Sequence, residues 1–272
     1  MRTTLRVGAV NYLNTRPLIE RLTDFAPAVE LSLALPSRLA DRLAADEIDV
    51  GLIPVVEYFR GANYSFIPGI AIASRGPVLS VTLFSRVPWA EIRSVALDEG
   101  SRTSAALAQI LLRKRYGVRP GVEPLPIGAS AEAAPTDAVL LIGDRAMRAC
   151  LPGHPFAYDL GQEWTDWTGL PMVYALWAVR GGVELGGAEA AFHRAKEYGL
   201  ARAGVIAQRE AAALGLDPGY CRRYLTNIIR YDLGPRELAG MARFRELAAE
   251  LGLAPEGTDD VRDDRPDLVE SR

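Results

Sequence analysis

Cysteine and histidine are scarce in this sequence, which contains two of each among its 272 residues. Cys150 and Cys221 lie far apart and in no redox or metal-ligand spacing, so we expect two reduced thiols. Neither histidine stands near a nucleophile or a carboxylate motif. The sequence also has no phosphate-binding loop and no dinucleotide-binding glycine pattern. These absences predict a protein without a metal site and without a bound cofactor.

An excess of charge of either sign and a long apolar run are also missing. The 31 basic and 34 acidic side chains give a net charge of -3, so neither sign dominates and nothing indicates the basic surface typical of nucleic-acid binding. No apolar stretch is long enough to span a membrane. The stretch Leu5–Val10 is too short for the core of a signal peptide. We therefore expect a cytoplasmic protein with no nucleic-acid partner and no membrane association.

The first third of the chain alternates between strand and helix patterns. Runs of apolar and β-branched residues predict strands at 5–10, 29–35 and 49–54. Between them, the apolar spacing predicts helices at 15–23 and 36–44. Such alternation is typical of a mostly parallel sheet with helices on its faces, so the predicted fold class is α/β.

A second series of strands and helices predicts a second lobe. After two extended segments, further strands are predicted at 94–97, 122–127, 138–143 and 172–179. The chain after Val183 has helical spacing, and the charged, proline-containing stretch 256–272 has the composition of a disordered tail.

We expect residues 1–84 and 177–255 to form lobe one, and residues 85–176 to form lobe two. The chain would pass between the lobes twice, near 79–86 and 172–180. Two crossing strands would then form a hinge, with a ligand in the cleft between the lobes.

The first candidate site follows the first predicted strand directly and leads into a helix. Its polar residues are Asn11, Tyr12, Asn14, Thr15 and Arg16. Ligands of open α/β sheets collect at the carboxyl ends of strands, and a helix start there favours a carboxylate. The alternative is that Asn14 only caps the helix and Arg16 is only solvated.

Three further segments carry candidate residues. One is a run of polar residues at a helix start, which could cradle an anion or only cap the helix: Ser101, Arg102, Thr103 and Ser104. Another is Ser80, at the start of the first crossing strand, which faces either the cleft or the solvent. The third is Gly143 and Asp144, where glycine permits close approach to a ligand and the aspartate would also suit a helix cap.

Taken together, these motifs resemble the MqnA group of the MqnA/MqnD family. The resemblance spans residues 5 to about 250, and its most specific part is Val7-Gly8-Ala9-Val10-Asn11-Tyr12-Leu13-Asn14-Thr15-Arg16-Pro17-Leu18. Ser74–Val78, Leu97-Asp98 with Ser101–Ser104, and Leu140–Asp144 follow in the order that the group shows. One departure is Leu79, where family members often carry glycine or a small polar residue.

The resemblance implies a periplasmic-binding-protein-like type II fold used by an enzyme. It implies a chorismate dehydratase, which eliminates water from chorismate to form 3-[(1-carboxyvinyl)oxy]benzoate on the futalosine route to menaquinone. Such an aromatisation needs no metal or redox cofactor. No motif residue is an obvious base, so we hypothesise that the enolpyruvyl carboxylate of chorismate takes the proton while Asn14 and Ser80 orient the substrate and assist the leaving hydroxyl.

Other functions fit the same fold. A non-catalytic binding protein for a small carboxylate would share the hinge and the cleft. A sensor domain of a transcription regulator would need a helix-turn-helix module, and the sister enzyme of the same pathway would need a functional histidine; the sequence has the pattern of neither. The patterns are compatible with a monomer and with a homodimer.

Overall fold

A six-stranded mixed sheet forms the centre of the first lobe in the computed structural model, which describes residues 4–61 and 63–256. Its strands are β1 (Leu5–Val10), β2 (Val29–Ala34), β3 (Val50–Pro54), β4 (Ser65–Ser74), β10 (Met172–Val179) and β11 (Ile229–Arg230). Their order across the sheet is β11-β4-β10-β3-β1-β2. The strand β1 runs parallel to both β2 and β3, whereas β10 is antiparallel to β3 and β4.

A five-stranded mixed sheet forms the centre of the second lobe. Its strands are β5 (Val81–Ser85), β6 (Ser94–Asp98), β7 (Gly121–Leu125), β8 (Ala138–Ile142) and β9 (Phe156–Asp159). Their order is β7-β6-β8-β5-β9, with β6 parallel to β7 and β8. The antiparallel β5 pairs with β8 and β9. The predicted two-lobed α/β fold is confirmed.

Helices cover the faces of both sheets. They are α1 (Arg16–Ile19), α2 (Leu22–Phe25), α3 (Pro36–Ala44), α4 (Val55–Arg60), α5 (Arg102–Ile110), α6 (Gly143–Arg148), α7 (Leu160–Thr168), α8 (Ala188–Ala201), α9 (Ala203–Leu214), α10 (Pro218–Arg223) and α11 (Pro235–Glu250). Two 3-10 turns occupy Leu13–Thr15 and Trp89–Glu91, and two π-helical turns occupy Leu111–Arg115 and Tyr224–Ile228. Within the described ranges, no helix is both long and apolar enough to cross a bilayer.

The crossings between the lobes lie beside the strands rather than within them. The sequence predicted that strands near 79–86 and 172–180 would span both lobes. Instead, β5 pairs wholly within the second sheet and β10 wholly within the first. The chain therefore changes lobe at 75–80 and at 169–171, and the predicted boundaries 84/85 and 176/177 fall at or inside paired strands.

Two other predictions need correction. The helix predicted at 15–23 is interrupted, because Glu20 is extended and Arg21 adopts a left-handed conformation with φ 58°. The region after Val183 is not wholly helical, since β11 adds a short strand to the edge of the first sheet by pairing with β4. The tail predicted at 256–272 lies, apart from Glu256, outside the described residues.

Strands at the middle of the first sheet are apolar on both faces. All eight residues of β10 and all five of β3 are buried, as expected for strands with helices packed on either side.

A buried carboxylate, Asp49, joins three strands at one end of this sheet by hydrogen bonds and ion pairs. Asp49 accepts hydrogen bonds from the Arg6 side chain at 2.7 and 3.0 Å and from Arg180 Nη2 at 2.8 Å. These hydrogen bonds, that from Arg6 foremost, hold the pKa of Asp49 well below its usual range.

Replacing this carboxylate should weaken the fold in a pH-dependent way. For Asp49→Asn we expect a free energy of unfolding about 1.5–3 kcal/mol lower at pH 7, towards the smaller value because Arg6 is partly exposed. A depressed pKa in the folded state stabilises the protein above the pKa of the unfolded state, about 4, and this stabilisation disappears as the pH falls towards the folded-state value.

Urea denaturation of both proteins between pH 7 and pH 2 measures this difference. It should be constant at neutral pH and shrink below about pH 4. The control is Asp24→Asn, which removes an exposed ion pair to Arg21 and should leave the unfolding free energy nearly unchanged. If the unfolding free energies of Asp49→Asn and the original protein differ by the same amount at every pH, Asp49 does not have a depressed pKa in the folded state.

Candidate active site

A cleft between the two lobes gathers polar residues from both sheets. It is lined by Val10, Tyr12, Asn14, Pro36, Pro54, Ile72, Val78, Ser80, Val81, Ser101, Ser104, Ile142, Gly143, Tyr174 and Ala175. The space between these walls, including its opening, is about 480 Å³. This figure includes space that is open to solvent, so the enclosed part of the cleft is much smaller.

Parallel strands bring the polar residues of the cleft together. In the first lobe, β1 ends just before Tyr12 and Asn14, and β3 ends at Pro54. In the second lobe, β6 leads to Ser101 and β8 leads directly to Gly143. The carboxyl ends of these strands face the same space, where ligands of α/β sheets are bound.

Asn14 and Ser80 are joined through a third buried side chain. Asn14 Nδ2 donates to Tyr224 Oη at 3.1 Å, and Tyr224 Oη donates to Ser80 Oγ at 2.8 Å. Asn14 and Ser80 are only 9% and 2% exposed, and both line the cleft. Two of the predicted site residues therefore belong to one continuous chain of hydrogen bonds.

On the opposite wall, two hydroxyl groups lie at the start of α5. Ser101 is the N-cap of this helix, and its Oγ lies 3.0 Å from Ser104 Oγ and accepts a long hydrogen bond of 3.4 Å from Ser104 N. The start of a nine-residue helix carries a partial positive charge. This wall thus combines hydroxyl donors with a helix end that favours an anion.

Tyr12 closes one side of the cleft against Gly143. Gly143 has a φ of 61°, and a Cβ atom at this position would lie 2.7 Å from the Tyr12 ring. Its N–H donates to the carbonyl oxygen of Ser80 at 2.8 Å. Only glycine satisfies both the left-handed backbone and the close approach of the ring.

Direct hydrogen bonds between the lobes show that the cleft is closed. Leu13 N donates to Asp144 Oδ1 at 3.1 Å, and Val56 N donates to Thr103 Oγ1 at 3.2 Å. On the outside, Arg102 binds Asp41 at 2.7 Å and Glu57 at 3.1 Å. Each of these bonds joins a residue of the first lobe to one of the second.

The structure therefore divides the predicted site residues into two groups. Tyr12, Asn14, Ser80, Ser101, Ser104 and Gly143 line the cleft. The others lie outside its lining: Asn11, Thr15, Arg16, Arg102, Thr103 and Asp144. Sequence spacing could not separate the groups, because neighbours in a tight turn point in different directions.

The residues of the second group have other partners. Arg16 binds Glu210 at 3.2 Å and donates to Asn11, so it does not supply the expected cation to the cleft. The Thr15 hydroxyl donates to Asn14 Oδ1 at 3.4 Å. Arg102, Thr103 and Asp144 join the two lobes.

The segment 75–80, where the chain first changes lobe, is anchored by a partly buried carboxylate. Asp159, the N-cap of α7, accepts the N–H groups of Val78, Leu79, Gly161 and Gln162. Burial raises the pKa of Asp159, although these four N–H groups oppose the change. Leu79 has a φ of 63°, which explains why glycine suits this position and implies about 1–2 kcal/mol of backbone strain here.

Two tyrosines of the site were absent from the sequence-based prediction. Tyr174, on β10, lines the cleft, and its hydroxyl lies 3.1 Å from Ser74 Oγ. Tyr224 bridges Asn14 and Ser80 from the C-terminal part of the chain. The apolar surroundings of Tyr174 made it resemble a core residue. Tyr224 carried no such signal in the sequence, because the π-helical turn that it begins is seen only in the structure.

All the polar side chains that line the cleft in the described part of the chain are uncharged: Tyr12, Asn14, Ser80, Ser101, Ser104 and Tyr174. Two buried carboxylates, Asp98 and Asp144, are not part of this lining and belong to a neighbouring pocket that also includes Tyr12. Burial raises the pKa of both. Asp98 accepts from Gly100 N at 2.8 Å, and Asp144 accepts from Leu13 N. Both carboxylates therefore hold backbone in place around the cleft.

Comparison with known sequences identifies relatives along almost the whole chain. The sequence profile of the family described as "Menaquinone biosynthesis" matches residues 5–250. A chorismate dehydratase of Thermus thermophilus is 33% identical over 269 residues, covering 92% of this chain and 96% of the relative. A chorismate dehydratase of Campylobacter jejuni is 26% identical, covering 91% of this chain and 99% of the relative.

Solved structures agree with the two-lobed fold. A protein from Archaeoglobus fulgidus superposes with a TM-score of 0.71 at 17% identity, covering 92% of this chain and 98% of the other. The periplasmic aliphatic sulphonate binding protein SsuA from Escherichia coli superposes with a TM-score of 0.64 at 19% identity, covering 93% and 89%. At these identities the likeness concerns the fold alone.

The contact between Tyr12 and Gly143 should be essential for closure. In Gly143→Ala the added methyl group would collide with the ring, so we expect a more open cleft and a larger radius of gyration in X-ray scattering. Its free energy of unfolding should fall by about 1–3 kcal/mol more than that of the control, Gly128→Ala.

Gly128 has a φ of 83° and no atom within 4 Å of the position of an added Cβ. The control therefore carries a similar backbone cost without the collision. Equal effects of the two substitutions on stability and on scattering would exclude a role of this contact in closure.

Proposed function

This chain belongs to the menaquinone biosynthesis family, and on that basis we propose that it is a chorismate dehydratase. The proposed reaction is the elimination of water from chorismate to give 3-[(1-carboxyvinyl)oxy]benzoate, which makes the protein a carbon–oxygen hydro-lyase. The observation that carries the proposal is the single cleft into which Asn14, Ser80, Ser101 and Ser104 all face. The 33% sequence identity to the Thermus thermophilus enzyme over almost the full length of both chains supports it.

The cleft suits a small molecule with two carboxylates. One carboxylate would bind at the start of α5, where the Ser101 and Ser104 hydroxyl groups and the helix end favour negative charge. The second would lie towards Asn14 and Ser80 on the other wall. Ligand binding would then draw both lobes towards the same molecule and favour the closed cleft.

The proposed elimination balances without a co-reactant. The C3–H bond breaks, its electron pair forms the C3–C4 double bond, and the C4–O bond breaks to release hydroxide. The hydroxide and the proton from C3 together form water. The product ring is aromatic, so the reaction is strongly favourable and needs no redox cofactor.

The neutral cleft walls favour a mechanism in which a group of the substrate itself accepts the proton. Its polar side chains are neutral amides and hydroxyls, and these are poor bases near neutral pH. The enolpyruvyl group of chorismate is attached to C3 itself through its ether oxygen, so its carboxylate can reach the proton that must leave. Enclosed by neutral walls, this carboxylate would lose solvation and become a stronger base than it is in water.

Asn14 and Ser80 would act on the substrate by hydrogen bonding. The amide of Asn14 would orient the substrate, and the Ser80 hydroxyl would stabilise the charge that develops on the departing oxygen. The closed lobes would keep bulk water from the reacting atoms. As an enzyme of biosynthetic metabolism with a small-molecule substrate, the protein would act in the cytoplasm.

Turnover of chorismate is the direct test. Purified protein incubated with chorismate alone should give a product lighter by one water, with the ultraviolet spectrum of an aromatic ether, as followed by mass spectrometry and absorbance. Omission or chelation of metal ions should not change the rate. Binding of chorismate without any product would instead favour a carboxylate-binding protein and overturn the proposal.

Substitution of the two central side chains tests their roles. In Asn14→Ala and Ser80→Ala we expect kcat to fall by about 100-fold or more, with a smaller change in KM, because the lost hydrogen bonds strengthen in the transition state. Steady-state kinetics measures both constants.

The control is Asn227→Ala, which removes an exposed amide that accepts only from Thr226 Oγ1 in the described structure. Its kinetic constants should match those of the original protein. If Asn14→Ala keeps its full kcat, Asn14 has no part in the chemistry.

A further inference from the structure

Tyr224 is a buried residue whose hydroxyl lies between the two proposed catalytic residues, Asn14 and Ser80. It is 1% exposed and begins the π-helical turn between α10 and β11. A π-helical turn inserts an extra residue into a helix and so changes the direction of the side chains at that point. Here the Tyr224 hydroxyl lies between Asn14, after the first strand, and Ser80, at the first crossing.

The directions of the hydrogen bonds follow from counting donors. Asn14 Nδ2 donates to the phenol oxygen of Tyr224 at 3.1 Å, and Asn14 Oδ1 lies 3.4 Å from the Thr15 hydroxyl. The phenol has one proton, and it donates that proton to Ser80 Oγ at 2.8 Å. The Ser80 oxygen thus already accepts a short hydrogen bond from Tyr224.

The proton of Ser80 itself is therefore free to serve a ligand. Its contact in the protein is the carbonyl oxygen of Val78 at 3.4 Å, which is at the long limit for a hydroxyl donor. Rotation about the Cβ–Oγ bond is enough to turn this proton into the cleft. A hydroxyl that accepts a hydrogen bond becomes a better donor, because the bonds of a chain polarise one another.

Burial also keeps the phenol in its donating form. It raises the pKa of Tyr224 above its ordinary value, so the hydroxyl stays protonated throughout the neutral range. Within the described residues the ring is not part of the cleft lining, so Tyr224 would act on a substrate through Asn14 and Ser80, to which it is hydrogen-bonded.

We propose that Tyr224 is a positioning residue for the dehydration: it couples Asn14 to Ser80 and directs the Ser80 proton towards the departing oxygen of the substrate. This inference rests on the proposed function. It adds to the pair predicted from the sequence a third residue, more than 140 positions away from Ser80.

Tyr224→Phe tests the coupling, since it removes the hydroxyl and leaves the ring. We expect kcat to fall by about 10–100-fold while KM stays within about threefold, because the ground-state contacts of the cleft remain. A residue that only packs would alter stability without this division between kcat and KM.

Tyr231→Phe is the matched control. Tyr231 is also buried, and within the described residues its hydroxyl has no hydrogen-bond partner. This variant should keep the original kcat and KM. Thermal unfolding of both variants shows whether each is folded at the assay temperature.

A double-mutant cycle decides whether Tyr224 acts through Ser80. If it does, Ser80→Ala combined with Tyr224→Phe should be hardly slower than Ser80→Ala alone. If the loss of kcat in the double variant equals the product of the losses in the two single variants, the two residues act independently and the inference is overturned. A kcat of Tyr224→Phe within twofold of the original value would also overturn it. Should Tyr224→Phe fail to fold, a fluorinated tyrosine at 224 keeps the hydroxyl but changes its donor strength, and an unchanged kcat would then refute the coupling.

The same measurements separate this inference from the proposed function. If the original protein does not convert chorismate, both are overturned. If it does, and Ser80→Ala is impaired while Tyr224→Phe is not, only the role of Tyr224 is refuted.

Discussion

Closure of the two lobes on each other is the constraint on which the site depends. Two backbone N–H groups of the first lobe, those of Leu13 and Val56, donate to Asp144 and Thr103 of the second. Tyr12 packs against Gly143 at a distance that only glycine allows. These contacts surround the cleft, so its hydroxyl and amide groups face an enclosed space in which hydrogen bonds are stronger than in water.

The chemistry we propose matches the character of that space. A metal-free elimination that ends in an aromatic ring needs correct orientation, a stabilised leaving oxygen and a base near C3. Neutral side chains on the cleft walls can provide the first two and leave the substrate carboxylate as the base. Charged residues contribute from outside, since Arg102 joins the lobes through Asp41 and Glu57, and Asp159 holds the crossing segment in place.

Much of the fold could be predicted from local patterns. The strands at 5–10 and 172–179 were predicted with the bounds that the structure has, because buried strands consist of continuous apolar, β-branched runs. The helix predicted at 15–23 was wrong, since Arg21 takes a left-handed conformation that apolar spacing does not reveal. The crossing points were misplaced for a different reason. The sheet to which a strand belongs depends on its pairing partners, which lie far away in the sequence.

The amino-acid order by itself determined the α/β class, the family motif after the first strand and the polar character of Asn14, Ser80 and Ser101. These properties depend on residues close together in the chain. Only the tertiary structure decided that Arg16 and Arg102 serve ion pairs outside the cleft, and that Tyr224 joins Asn14 to Ser80. The direction of a side chain in a turn, and its contact with a residue more than 140 positions away, depend on how distant elements pack.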